Sequence, residues 1–173
     1  MGGERACAEP ANGAKDVVGC LRPAEWLRGL FVSTEGGDRR LWAASLAWLA
    51  AMGTILALDL AFLGGVARGA YEAWLGPLRR PAVYWPAALA FYAMYATAIV
   101  VHAVLRAASA GDALRRGAGL GLVAYATYEL TNWAVLRDWP AALVPLDVGW
   151  GVVLTATAAL AGSAVHRRMA RRP

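Results

Sequence analysis

Three carboxylates lie inside stretches that are otherwise apolar: Asp59, Glu129 and Asp147. An ionisable group within a membrane span costs at least a few kcal/mol, faces the protein interior, and marks a proton, ion or substrate path by default. Around Glu129, the residues Tyr125, Tyr128 and Asn132 recur at three- and four-residue intervals, which puts all four on one helix face. Trp150 and Gly151 follow one turn after Asp147, while Tyr92, Tyr95 and Tyr71 are near enough in the chain's expected layout to add hydroxyls. Such a group can carry protons, hold a cation or a cationic solute, or do acid–base chemistry, with Glu129 or Asp147 as acid or base and Tyr128 as donor. The competing reading is a latch, in which Asp59 and Asp147 accept hydrogen bonds from indole, tyrosine or Asn132 amide groups and fix helix register.

Other chemistries find little support. His102 and His166 are far in depth from the acids, whereas a histidine-rich di-iron site needs several imidazoles together. There is no glycine-rich phosphate loop, nucleophile elbow or His-Glu-x-x-His pattern. Cys7 and Cys20 read as two unpaired thiols, so neither a metal nor a cofactor is expected. Basic residues occur as pairs at the edges of apolar blocks (Arg39 and Arg40, Arg79 and Arg80, Arg115 and Arg116, Arg167 and Arg168), which is membrane flanking rather than a stripe that reads nucleic-acid phosphates.

The elements that must position the acids are long apolar segments. Of 173 residues, 59% are hydrophobic, and they collect into blocks rather than amphipathic patterns. The expected spans are 41–64, 82–105, 117–136 and 141–165, each suited to crossing ~30 Å of hydrocarbon as a helix. Pro86 falls in the first turn of the second span, Pro140 and Pro145 at the start of the fourth, with a kink expected at Pro145. The fold class is therefore all-α, a four-helix transmembrane bundle in a lipid bilayer. Six Lys and Arg precede the first span, three lie between the second and third, and four follow the last, against four in the other two loops. By the positive-inside rule both termini are cytoplasmic, whether the membrane is a plasma, inner or organelle membrane. In that arrangement the three acids lie about 7 to 11 Å below the opposite face, all in one leaflet.

Residues 1–40 form a polar extension without a signal-peptide core, and 166–173 a basic tail. Within the extension, Pro23 can open a short helix near 23–32 with Trp26, Leu27, Leu30 and Phe31 on one face, an interfacial segment; the alternative reading is a disordered tail with chance apolar residues. Trp42, Trp74, Tyr84, Trp85 and Trp139 read as interfacial anchors. Gly119, Gly121, Gly149 and Gly151 are expected to let the third and fourth spans approach closely.

The run Leu58-Asp59-Leu60-Ala61-Phe62-Leu63-Gly64, then Tyr71, then Tyr125-Ala126-Thr127-Tyr128-Glu129-Leu130-Thr131-Asn132, Trp139-Pro140 and Asp147-Val148-Gly149-Trp150-Gly151 resembles the predicted membrane proteins of domain-of-unknown-function family 2177. The likeness covers roughly 41–165 and implies a four-helix membrane fold. Phe62 stands where the family usually has Trp, and Glu129 where it usually has Asp. The second change keeps the charge on a longer arm, which argues for an acid and against a fixed metal geometry. The function expected is binding of a small solute, proton or cation by Asp59, Tyr92, Tyr125, Tyr128, Glu129, Asn132, Asp147 and Trp150 in an outward-facing pocket, as part of transport. Four helices make a thin wall, so a conducting form is expected to be a homo-oligomer or to have a membrane-complex partner. The alternatives are a membrane enzyme acting on a lipid-like substrate and a non-catalytic subunit or assembly factor.

Overall fold

The computed structural model describes residues 23–76 and 80–171, with side chains from Gly37 onward except Val66. The chain divides into two units, Met1–Gly37 and Asp38–Pro173. In the first, the residues from Pro23 onward are helical; the side chains of Trp26, Leu27, Leu30 and Phe31, and the interfacial placement expected for them, lie outside the described residues, as do Cys7 and Cys20. All described elements are helices: α1 (Pro23–Ala61), α2 (Arg68–Leu75), α3 (Trp85–Ile99), α4 (Ala110–Val135) and α5 (Leu143–Ala170).

Three of these helical stretches are long and apolar enough to cross a membrane: Gly37–Gly65, Trp85–Val104 and Leu143–Ala170. Helix α4 has 26 residues, so length is no obstacle, but its glycines, tyrosines, Glu129 and Asn132 dilute its apolar character. It begins seven residues before the expected boundary because Ser109 caps it. The Ser109 hydroxyl accepts from the Asp112 backbone N–H at 3.0 Å, and the Asp112 carboxylate accepts from the Ala108 N–H at 3.0 Å. The two side chains occupy two orphan donors at the helix start. Pro86 stands in the first turn of α3. Pro145 is the third residue of α5, where its missing N–H removes no intrahelical bond, so the cause of the expected kink is absent.

Two helices end in a single wide π-type turn. Phe62–Val66 closes α1 through Ala67 N–H to Phe62 C=O at 2.8 Å, and Val100–Val104 closes α3 through Leu105 N–H to Val100 C=O at 2.9 Å. Such turns are uncommon and concentrate at functional sites.

The core is built from stripes of every fourth residue. On α1 the buried row is Ala43, Ala47, Ala51, Ile55 and then Asp59; on α4 it is Ala113, Gly117, Gly121 and, two turns on, Glu129; on α5 it runs Leu143, Asp147, Gly151, Thr155, Ala159. Small residues dominate each row, so the helix backbones approach closely, which is how helices associate where burial from water supplies no driving force. A Cβ on Gly117 would come within 2.7 Å of the Ala159 Cβ and 2.8 Å of the Thr155 carbonyl. One on Gly121 would strike the Gly151 carbonyl, and one on Gly151 the ring of Tyr125. Gly119 and Gly149, expected in the same seam, have open space instead, because two residues along a helix is half a turn away from the contact face. Large apolar side chains such as Leu49, Leu60, Met94, Val123 and Val153 point outward, the pattern of a lipid-facing surface.

Candidate functional site

Each acid is the one carboxylate in a row of buried, mainly small or apolar residues. Asp59 ends the row of α1, Glu129 that of α4, and Asp147 stands near the start of the row of α5, which runs the other way. They therefore face one another rather than lipid, with exposures of 7%, 0% and 9%. Asp147 is the hub, within interaction range of both Asp59 and Glu129.

The donors to these acids are aromatic. Asp59 is satisfied on both oxygens, with Trp150 Nε1–H donating to Oδ1 at 3.0 Å and Tyr92 O–H to Oδ2 at 3.1 Å. The Trp150 ring is held by Phe62, which stacks on it at a centroid distance of 4.0 Å and an interplanar angle of 7°; the wide turn after Ala61 is what carries Phe62. Asp147 Oδ1 accepts the hydroxyl of Tyr71, donated from α2. Tyr71 lies outside the spans; burial, and then the Asp147 carboxylate it bonds, push its hydroxyl well above the ordinary range, so it remains a donor. Glu129 Oε2 accepts from Trp139 Nε1–H at 3.0 Å, while Glu129 Oε1 is buried without a partner. No ion pair among the described residues involves any of the three acids.

One layer deeper, Tyr95 and Thr155 share a buried hydrogen bond of 2.6 Å between α3 and α5. Tyr125 meets the Tyr95 ring edge-on at 6.2 Å and covers Gly151. The ring of Tyr125 thus occupies the space that the missing Gly151 side chain leaves.

The structure brings Asp59, Tyr92, Glu129, Asp147 and Trp150 into one connected group, with Tyr71 added. It does not bring in Tyr128 to the same degree. Tyr128 is 58% exposed and packs edge-on against Trp139 at 6.1 Å, with Asn132 beside its hydroxyl. The spacing of Tyr125, Tyr128, Glu129 and Asn132 confines them to a broad face, but only the part in line with Gly117 and Gly121 is buried. Trp139, read from sequence as an interfacial anchor, instead turns back to Glu129. The reversal is made by Asp138, whose φ of 60° is left-handed, a conformation that Asp and Asn tolerate better than most residues. Thr155 was also passed over in the sequence. Its signal was present in the four-residue row from Asp147 through Gly151.

A family model described as "Predicted membrane protein (DUF2177)" matches residues 44–164. The chain belongs to that family. The matched region holds the three acids and every donor to them. No curated protein and no solved structure matches the chain.

Proposed function

We propose that this family member is a four-span membrane protein, with α4 as the fourth span and both termini cytoplasmic, that binds a proton at its Glu129–Asp147 pair in a transport-like role. A small cation or cationic solute is the other occupant this chemistry accepts. The observation that carries the reading is Glu129 Oε1, buried, without a donor, and beside a second carboxylate. Two facing acceptors in a buried site are held together by a shared proton or a cation and driven apart without one. Asp59, with both oxygens supplied by neutral donors, has the different role of a clasp between α1, α3 and α5. Access is favoured past Tyr71, which bonds Asp147 and also lines a cavity of about 430 Å³ with Leu63, Gly64, Arg68, Glu72 and Leu75.

The test is reconstitution in liposomes carrying an internal pH dye, with an imposed proton gradient. The native protein should dissipate the gradient, and Glu129→Gln should not, while remaining folded. The new amide supplies the donor the pair lacks, so thermal stability should hold or rise by roughly 1–3 kcal/mol. Equal flux from E129Q would remove the proposal. A purely structural latch, favoured by the full satisfaction of Asp59, instead predicts no flux from either protein.

A further inference from the structure

At the end of the bundle remote from the acids, α1, α5 and Leu105, which follows the wide turn closing α3, line a second feature. A cavity of about 700 Å³ is lined by Arg39, Arg40 and His166 together with Leu41, Ala44 and Leu105. Those three apolar residues also line an adjoining groove of about 440 Å³, which continues between α1 and α3 past Trp48, Thr97 and Val101. One wall is the α1 ridge of Leu41, Ala44 and Trp48, at three- and four-residue spacing; the other is Thr97 on α3 with Val101 in the wide turn that closes it and Leu105 just beyond. Its floor is fixed by Trp48 Nε1–H donating to Thr97 Oγ1 at 3.0 Å. A basic mouth thus opens into an apolar channel, and the channel lies along the two stretches, Gly37–Gly65 and Trp85–Val104, that are apolar enough to lie in hydrocarbon.

We infer that this is a binding site for one anionic phospholipid, its phosphate between Arg39, Arg40 and His166 and one acyl chain along the groove. Guanidinium groups match phosphate oxygens in a fork geometry. Basic pockets between transmembrane helices recur as sites for anionic headgroups. The mouth and groove share three lining residues, so headgroup and chain are recognised by one continuous surface. Asp59 is 20 residues beyond Arg39, about 30 Å along α1, so this site is separate from the proton site and does not depend on it.

The experiment is a thermal-shift titration of the purified full chain in detergent with phosphatidylglycerol, phosphatidylcholine of the same acyl chains, or inorganic phosphate. Phosphatidylglycerol alone should raise the melting temperature in a saturable way. Replacing both Arg39 and Arg40 by Gln should weaken its apparent affinity roughly ten- to thirtyfold, as expected for two basic groups at an anionic headgroup. The pair Arg80→Gln with Arg137→Gln, which removes the same charge from the other loops, should leave it unchanged. Ala44→Trp keeps the arginines and fills the groove, and it should also abolish the shift. Equal stabilisation by phosphatidylcholine, or stabilisation by phosphate alone, would overturn the proposal. So would full phosphatidylglycerol affinity in either the double-Gln or the A44W protein.

Discussion

Each carboxylate in this bundle depends on a specific aromatic donor, and the dependence differs from acid to acid. Glu129 has one donor, Trp139. Trp139→Phe keeps the edge-on packing with Tyr128 but leaves both Glu129 oxygens unpartnered, at an expected loss of roughly 1–3 kcal/mol in thermal unfolding. Tyr92→Phe leaves Asp59 still bonded to Trp150 and should cost less, about 1 kcal/mol, in the same measurement. Asp59, Glu129 and Asp147 are conspicuous in sequence because acids in apolar blocks need a reason. Their donors were legible only in part. Tyr92 and Trp150 lie within the spans at a matching depth, and Tyr71 was within reach, but Trp139 sits beyond a left-handed residue whose turn back toward Glu129 has no periodic signal. The burial of the neighbours of Glu129 was not legible for a similar reason: a three-to-four spacing defines a face, whereas burial selects the narrow line where backbones touch.

At the scale of the helix, the seam between α4 and α5 fixes the separation of Glu129 and Asp147. Gly151→Ala places a methyl where the Tyr125 ring lies and should destabilise by about 1–3 kcal/mol through overpacking. Gly149→Ala, half a turn away and facing open space, should change stability by about 1 kcal/mol or less. A melting comparison of the two proteins checks both. The start of α4 carries a pH signature. Hydrogen bonding to Arg116, and then to the Ala108 N–H, holds the Asp112 carboxyl below its ordinary value. A carboxyl lowered in the folded state stabilises above its unfolded pKa, about 4, and that contribution disappears as pH falls through the lowered value. The melting temperatures of the native protein and D112N should therefore differ at neutral pH and converge below about pH 4. The long apolar blocks made α1, α3 and α5 readable. The boundaries of α4 were less so, because a Ser–Asp cap rather than hydropathy sets its start.

For the whole molecule, the three acids and their aromatic donors gather at one end of the helices, and the cluster of Arg39, Arg40 and His166 lies at the other. The proposed orientation, with both termini cytoplasmic, rests on the count of basic residues between the expected spans. Single cysteines placed at Arg115 and at Arg168 in a Cys-free background should be labelled by an impermeant thiol reagent only after cells are opened, and one placed at Glu72 in intact cells. The reverse pattern would invert the topology. The wide turn at Phe62–Val66 bears on how relatives of this chain are compared. Such a turn holds one residue more than an ordinary helical turn, and one residue is about 100° of rotation. Everything from Arg68 to Leu75 is therefore displaced in angular phase from the helix before it. A homologue lacking a single residue between positions 62 and 66 could preserve every side chain named here and still turn a different one than Tyr71 toward Asp147. A gap at that point in an alignment would carry more chemical meaning than a substitution.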